Sequence, residues 1–368
     1  MKLDWTSTRL TLQEPLRISR ATLVEREAVW VRLTHAGRTG YGEVVTSPRL
    51  GLTVERIEAD LTEAAHWLAG SAEPEQLRIR LPALRARLSE ALPVACAVDV
   101  AVHDWLASSA NLTLDEYLGA PQWDSVPTAY TIGVVEPSAA VTAATRLVAA
   151  GFTTLKLKLG TPDPVDDLAR VRAVRAAAPH VRLLLDPNGA WDARTAIAVL
   201  SRLLEFEIAA VEQPTPPGRL DELAAVADSV PVPIIADEDA ATVDALRRLP
   251  TSIAGINIKL AECGGLDAAL AMIDWANRSQ RAVMLGCQAS TSLSIAAAAH
   301  LTGYARWVDL DGHLLITDDP WSGLTGSDGL LRRPPGLGLG VRRLTGAELG
   351  TLRPSSSAGV EARRGGWV

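Results

Sequence analysis

Features typical of several protein classes are absent from this sequence of 368 residues. Its three cysteines, Cys96, Cys263 and Cys287, are odd in number and lack the spacing of metal ligands, which favours a reducing compartment. No Lys- or Arg-rich run stands out among the 36 basic and 43 acidic residues, so nucleic acid is not an expected partner. No run of about 18 uncharged apolar residues suggests a membrane span, and the first residues, MKLDWTSTRLTLQEP, lack the apolar core of a signal peptide. These absences predict a cytoplasmic protein without a membrane partner.

The composition that is present is typical of a globular protein with a large core, since 48% of the residues are hydrophobic and 21% are charged. The length suggests two domains. Alternating apolar and polar residues at 23–45 predict two strands around a turn, and residues 53–118 have helical spacing. We therefore predict an α+β domain at 1–125, a second domain at 126–325, a return segment to the first domain at 326–350 and a disordered tail at 351–368.

Strand-like and helical segments alternate from Val126 onward. The strand runs are apolar throughout, as expected for parallel strands that are covered on both faces. Eight strands are predicted near 127–133, 153–159, 181–186, 208–212, 232–237, 254–260, 281–286 and 305–310, with seven helical segments between them. Asp192, Asp221, Thr242 and Thr291 stand where helix N-caps are needed. The alternation predicts an α/β fold, a (β/α)7β modified TIM barrel.

Three carboxylates end three consecutive strands of this barrel, namely Asp186, Glu212 and Asp237, at intervals of 26 and 25 residues. The carboxyl ends of barrel strands meet at one mouth. Carboxylates gathered there repel one another unless a cation neutralises them, and their hard oxygens suit one Mg²⁺. Asn188, two residues after Asp186, would support the site from outside the ligand set. The alternative is that each acid is only a helix cap or loop residue.

Three lysines lie in apolar strand runs of the same barrel. Lys156 and Lys158 are two residues apart and point to the same side of the second strand. Lys259 lies in the sixth strand, across the mouth. Two opposed lysines predict removal of a proton from one face of a carbon and return of a proton to the other face, with Lys156 lowering the pKa of Lys158. The alternative is that these lysines extend to solvent at strand ends.

The runs KLKLG, LLLDPN, VEQP, IIADED and INIKLAECGGL resemble the muconate-lactonising subgroup of the enolase superfamily. The resemblance covers nearly the whole chain, because GYGEVVTSPRLG and ACAVDVAVHDWLA are similar to the subgroup's capping domain. It implies Mg²⁺ bound by Asp186, Glu212 and Asp237, with Lys158 and Lys259 as the two bases. Members of the subgroup lactonise, eliminate or racemise with the same residues.

The eighth strand, WVDLDGHLLITDDP, places Asp309 and Asp311 on one side. The pair resembles the D-x-D element of the dipeptide epimerases, where it holds the ammonium group of the dipeptide, and YTIG around Thr131 is also similar to that group. This likeness implies a dipeptide epimerase of the L-Ala-D/L-Glu type or one for a related dipeptide. An N-acylamino-acid racemase, an o-succinylbenzoate synthase and a binding protein without catalysis are the alternatives, and the two acids would then form only a turn before Gly312.

Two further residues are expected to contact the substrate. Arg20 lies in the loop of the capping domain that covers the site in this family, although a solvated arginine is the alternative. Gln288 replaces a Met that is common at the end of the seventh strand and predicts a more polar pocket. The expected partner is thus a small dipeptide, and capping-domain barrels of this kind often form homo-oligomers.

Overall fold

A computed structural model describes residues 1–68 and 74–345 of the protein. Its first part is an antiparallel sheet in which the central strand pairs with both neighbours. The strands are β1 (Lys2–Ile18), β2 (Ala21–His35) and β3 (Arg38–Val45). Residues alternate along β2, so that Ala28 and Trp30 pack toward the barrel while Val29 and Val31 pack toward the helices of the cap.

Helices cover the other face of this sheet. They are α1 (Val54–Leu68), α2 (Pro74–Arg87), α3 (Leu92–Ser109) and α4 (Leu114–Leu118). Helix α3 lies directly on β3, because Gly42 has no side chain there and a Cβ at that position would lie 1.9 Å from the carbonyl oxygen of Ala97. By length and composition the stretch Ser89–Ser109 could cross a membrane, but 89% of its apolar window is buried inside the protein. It is therefore packed as the core helix of the cap.

Parallel strands after the cap form the predicted barrel, and the expected fold class is confirmed. Neighbouring strands pair in chain order from first to last. They are β5 (Ala129–Ile132), β6 (Thr154–Lys158), β7 (Arg182–Asp186), β8 (Ile208–Glu212), β9 (Ile234–Ala236), β10 (Gly255–Ile258), β11 (Ala282–Leu285) and β12 (Trp307–Val308). The seam between β12 and β5 is joined by side chains, since the Thr128 hydroxyl accepts from Leu310 N at 3.0 Å.

Helices connect most of these strands on the outside. They are α5 (Pro137–Ala150), α6 (Pro164–Ala177), α7 (Ala193–Ser201), α8 (Leu220–Ser229), α9 (Leu260–Cys263), α10 (Leu266–Arg278) and α11 (Ser292–Ala299). Two of the predicted caps are present, because Asp192 accepts from Thr195 N and Thr291 accepts from Leu293 N. The other two are wrong, because Asp221 lies inside the first turn of α8, whose N-cap is Arg219, and Thr242 precedes only a 3₁₀ turn that begins after Asp244.

The connection between β9 and β10 differs from the predicted (β/α)7β pattern. It contains two 3₁₀ turns, Glu238–Ala240 and Ala245–Arg248, where the fifth of the seven predicted helices was expected. Its first residues are held in place by Asp239, which accepts from Gln213 Nε2 at 2.8 Å and from Gly218 N at 2.7 Å. Few residues then remain before Pro250, which has no N–H to continue a helix.

The segment after the barrel returns to the cap. Strand β14 (Leu330–Arg332) pairs with β4 (Ser125–Pro127), and β13 (Trp321–Ser322) pairs with β15 (Arg342–Arg343). Leu339 N then donates to Asp104 of α3 at 2.8 Å. The predicted disordered tail at 351–368 lies outside the described residues.

The barrel strands look uniformly apolar in sequence because both of their faces are buried. On β6, Leu155 and Leu157 face outward against the helices. Lys156 and Lys158 occupy the alternate positions of the strand and face inward. A separate apolar layer fills the barrel interior, formed by Ala129, Leu184, Ala210, Ile235, Met284 and Trp307. The charged side chains lie at the strand ends above this layer, so the barrel presents them to one mouth.

Candidate active site

The three predicted metal ligands are buried at the ends of neighbouring strands. Asp186 ends β7 and Glu212 ends β8, while Asp237 follows β9. All three are at most 2% exposed. Burial and then the negative charge of Asp186 raise the pKa of Glu212 to about 7, and burial raises the pKa of Asp237 to about 6 although Lys259 opposes it. Such shifts indicate carboxylates that require a nearby cation.

Lysine ammonium groups supply positive charge to these acids in the structure. Lys156 Nζ lies 2.6 Å from Glu212 Oε2, 2.7 Å from Asp309 Oδ2 and 3.1 Å from Asp186 Oδ2. Burial alone would lower the pKa of Lys156, but Asp309, Glu212 and Asp186 outweigh it and hold that pKa well above its usual value. Lys156 is therefore a permanent cation beside Lys158.

The two predicted bases contact different acids. Lys158 Nζ lies 2.5 Å from Asp186 Oδ2, and Lys259 Nζ lies 2.5 Å from Asp237 Oδ2. Burial would lower the pKa of Lys259, yet Asp237 and then Glu262 raise it. The acids consequently hold both lysines at the mouth of the barrel, on the second and sixth strands.

The donor set fits a hard divalent cation. As the side chains stand, no group of three His, Cys, Asp or Glu residues among the described ones is gathered closely enough to hold a metal, because lysines lie between the acids. Glu212 Oε2 is buried, and its close contact is the ion pair with Lys156 Nζ at 2.6 Å. Three carboxylates with spare oxygen lone pairs match the ligands that Mg²⁺ takes in proteins. Asp186, Glu212 and Asp237 would hold it.

Two residues outside the predicted set orient these acids. Asn257 Nδ2 donates to Glu212 Oε1 at 2.9 Å, and Gln213 Oε1 accepts from Asp237 N at 3.0 Å. Asn257 is two residues before Lys259 and shares its side of β10, so the period of the strand could have identified it. The predicted support from Asn188 comes from its backbone, because Asn188 N donates to Asp186 Oδ1 at 2.9 Å.

The predicted ammonium-binding acids lie beside the lysines. Asp309 accepts from Lys156, and its other oxygen is buried without a hydrogen bond. Asp311 Oδ2 accepts from Thr131 N at 2.7 Å, which brings Thr131 into the site through its backbone. Burial and then repulsion from Asp309 raise the pKa of Asp311 to about 6. A cationic group of a substrate would relieve this repulsion.

Arg20 reaches the rim of the site from the turn between β1 and β2. Its Nη2 lies 2.5 Å from Glu238 Oε1 and its Nη1 donates to the carbonyl oxygen of Asn188 at 3.3 Å. Glu238 directly follows Asp237, a predicted metal ligand, so this ion pair connects the cap to the barrel mouth. Sequence could not identify Glu238 as the partner, because 218 positions separate the two residues.

Gln288 lies at the rim on the other side, after β11. Its Oε1 accepts from Arg26 Nη1 of the cap at 3.1 Å, and its Nε2 is 3.4 Å from Glu262 Oε1. The adjacent Cys287 has its Sγ 3.8 Å from Asp311 Oδ1. Polar contacts therefore extend from the cap to the eighth strand, and a substrate contact of Gln288 stays a prediction.

The arrangement joins three chemical capacities at one mouth. Carboxylates can hold a cation, a pair of acids can hold an ammonium group, and lysines on the second and sixth strands can exchange protons with a group between them. This combination suits a substrate that has a carboxylate, an acidic C–H bond next to it, and a free amine.

Comparisons with known proteins agree with this chemistry. Residues 2–119 match the family model described as the mandelate racemase / muconate lactonizing enzyme N-terminal domain, and residues 139–343 match the enolase C-terminal domain-like model. An L-Ala-D/L-Glu epimerase of Bacteroides thetaiotaomicron is 30% identical over 345 residues, covering 94% of this chain and 88% of that protein.

Two further relatives are named for other dipeptides. An L-Lys-D/L-Arg epimerase of Methylococcus capsulatus is 35% identical over 344 residues, covering 89% of this chain and 95% of that protein. The solved dipeptide epimerase of Enterococcus faecalis, complexed with Mg and L-Leu-L-Tyr, superposes with a TM-score of 0.84 and 28% identity over 92% of this chain and 98% of that one.

Proposed function

The chain belongs to the mandelate racemase and muconate lactonizing enzyme family of the enolase superfamily, and from this premise we propose that it is a dipeptide epimerase, an isomerase that requires one Mg²⁺. The observation that supports the proposal most directly is the pair Asp309 and Asp311, which lies beside the three acids suited to the metal. A substrate ammonium group gives that pair a function. The names of the relatives point to the same reaction.

The proposed reaction inverts the α-carbon of the C-terminal residue of the dipeptide. Lys158 and Lys259 lie on opposite sides of the mouth, so one of them in its neutral form accepts the α-proton and the other donates a proton to the opposite face. The number of protons on enzyme and substrate together stays the same. When bound, Mg²⁺ would supply positive charge to the substrate carboxylate as the proton leaves. Asp309 and Asp311 would hold the ammonium end and so fix which carbon lies between the lysines.

The dipeptide itself is the finer part of the proposal. The relatives are named for L-Ala-D/L-Glu and L-Lys-D/L-Arg, and one structure holds L-Leu-L-Tyr. Similarity to these relatives therefore does not identify the side chains of the substrate, which depend on the pocket of this chain. We keep L-Ala-D/L-Glu or a related dipeptide as the proposed substrate. A cytoplasmic location and a homo-oligomer also remain proposals.

A labelling experiment tests the reaction. The protein is incubated with Mg²⁺ and a dipeptide library in deuterated water, and mass spectrometry reads a gain of one mass unit. We expect labelled dipeptides, since exchange at the α-carbon replaces one hydrogen by deuterium, and we expect labelling to stop when a chelator removes the metal. No labelling in any dipeptide, together with labelling of N-acylamino acids, would replace the proposal with acylamino-acid racemisation.

Asp309→Asn separates the proposed function from its alternatives. N-acylamino acids and the precursor of o-succinylbenzoate have no ammonium group, so an enzyme for these substrates would gain nothing from that carboxylate. We expect the variant to lose roughly thirtyfold or more in kcat/KM for a dipeptide, as a charged hydrogen bond of about 2 kcal/mol disappears. Equal losses for a free and an N-acetylated dipeptide would show that Asp309 acts only through Lys156.

A further inference from the structure

One guanidinium at the rim of the site has no acidic partner. Arg26 lies on β2, on the barrel-facing side that it shares with Ala28 and Trp30. Its Nη1 donates to Gln288 Oε1 at 3.1 Å and to the carbonyl oxygen of Ala289 at 3.4 Å, and both acceptors are neutral. Its Nε is buried without a hydrogen bond. Within the described residues, no carboxylate lies within ion-pair distance of Arg26.

The carboxylates near Arg26 are engaged elsewhere. Glu43 accepts from Trp30 Nε1 at 2.8 Å and from Thr291, and burial raises its pKa to about 7. Glu262 lies 2.5 Å from Arg49 Nη2. At this corner of the rim, the nearby acids therefore have partners of their own, and the guanidinium of Arg26 is left with neutral acceptors. A half-buried cation without an anion is costly unless a ligand supplies one.

This corner borders the proposed position of the first residue of a dipeptide. Gln288, which holds Arg26, follows Cys287, and the Sγ atom of Cys287 lies 3.8 Å from Asp311 Oδ1. If Asp309 and Asp311 bind the ammonium group, the side chain on the same carbon begins next to strand β11. In this orientation the C-terminal carboxylate and its neighbouring carbon would lie farther round the barrel, toward Lys259 and the acids of β7 to β9.

We propose that Arg26, positioned by Gln288, selects dipeptides whose first residue has an acidic side chain. This inference rests on the proposed function, because it uses the ammonium site to orient the dipeptide. The planar guanidinium can donate two parallel hydrogen bonds to a carboxylate, and its Nε has no hydrogen-bond partner among the described residues. Gln288 would fix the orientation of the guanidinium through Nη1.

The test is the ratio of kcat/KM values for L-Glu-L-Ala and L-Gln-L-Ala, which differ only in the charge of the first side chain. We expect the native protein to prefer L-Glu-L-Ala about tenfold or more. Arg26→Gln should abolish this ratio and change activity on L-Ala-L-Ala less than about threefold. Arg26→Lys should keep part of the ratio, since lysine retains the positive charge but lacks the two parallel N–H donors of a guanidinium. Arg32→Gln is the matched control, because Arg32 lies on the same strand and already has Asp4 at 3.3 Å.

The outcomes distinguish the inference from the proposed function. Dipeptide exchange without a preference for L-Glu-L-Ala in the native protein would overturn the inference and leave the epimerase proposal intact. A ratio that survives in Arg26→Gln, or a preference that follows an acidic second residue in L-Ala-L-Glu, would also overturn it. An equal loss for every dipeptide in Arg26→Gln, with the same loss in Arg26→Lys, would assign Arg26 a structural role. Absence of exchange with any dipeptide would remove both proposals.

Discussion

At the scale of the residue, the site is a set of charges that neutralise one another across strands. Lys156 and Lys158 are neighbours on one strand, but their carboxylate partners come from β7, β8 and the end of β12. Asp186 shows the effect, because burial would raise its pKa and Lys158 followed by Lys156 lower it below the usual range. Charges this deeply buried remain ionised only in groups. Each side chain therefore has a chemical role and also keeps its neighbours charged.

The two-base mechanism predicts different behaviour for different single variants. Lys158→Ala and Lys259→Ala should each abolish epimerisation, because one face of the α-carbon loses its proton donor or acceptor. Each variant should still exchange the α-proton of one stereoisomer with deuterated water, and the two variants should act on opposite stereoisomers. Chiral chromatography and mass spectrometry of the same samples measure both properties. Full epimerisation by Lys259→Ala would exclude this mechanism.

At the scale of the element, α3 connects the cap to the barrel through polar groups on an apolar helix. Asp99 of α3 accepts from Leu266 N at 2.7 Å, where α10 begins. His103 lies between Asp99 Oδ1 at 3.3 Å and Asp267 Oδ1 at 3.6 Å, and Arg78 of α2 donates to Asp267 at 3.0 Å. Burial alone would lower the pKa of His103, but Asp99 and Asp267 outweigh it and raise that pKa to about 10. The histidine is thus a buried cation between two domains.

The raised pKa predicts a pH-dependent contribution to stability. The pKa of an unfolded histidine is about 6.5, so the contribution of His103 is fully present below that pH and is lost as pH rises toward about 10. We expect the difference in unfolding free energy between the native protein and His103→Gln to shrink by roughly 2–4 kcal/mol between pH 6 and pH 10. Urea denaturation at both pH values measures it. A difference that is constant or grows with pH would show that His103 is buried in its neutral form.

At the scale of the whole molecule, the return segment connects three parts of the chain at Asp115. The carboxylate of Asp115, in α4 of the cap, lies 2.8 Å from His300 Nδ1 after barrel helix α11 and 2.8 Å from Arg333 Nη2 of the return segment. Asp115 and His300 are both fully buried. The second nitrogen of His300 lies 3.2 Å from the carbonyl oxygen of Leu339, which extends the network farther along the return segment. The cap and the barrel are therefore joined by a buried ionic network as well as by α3.

Removal of this carboxylate should weaken the whole molecule. Asp115→Ala leaves the guanidinium of Arg333 without this anion and removes the contact of His300 Nδ1, so we expect a loss of roughly 3–5 kcal/mol in the free energy of unfolding. Asp328→Ala is the matched control, because its pair with Arg332 is exposed and its removal should lower the free energy of unfolding far less. Chemical denaturation of both variants gives the comparison. Equal effects of the two substitutions would mean that the network does not hold the domains together.

Local pattern was sufficient for most of the barrel. The two-residue period of a strand placed Lys156 and Lys158 on one side. The apolar runs that end in an acidic residue predicted the positions of β7, β8 and β9. Asp192 and Thr291 were recognisable as caps because a cap is a contact within one turn. The fifth helix was predicted and is absent, because the residues after Asp237 are held by Gln213 and Gly218 from another connection. Helical propensity contains no information about that restraint.

The sequence by itself determined the α/β class, the order of the strands and the residues that end them, since these depend on periodicity and on loops of local length. Only the tertiary structure decided the partners: Lys156 with Asp309 across 153 positions, Arg20 with Glu238, and Arg26 with Gln288. Contacts of this kind arise when a barrel closes and a cap docks on it, and no local pattern encodes the distance between two strand ends. The chemistry of the residues was therefore readable along the chain, whereas the charge balance and the selectivity of the site depend on the fold.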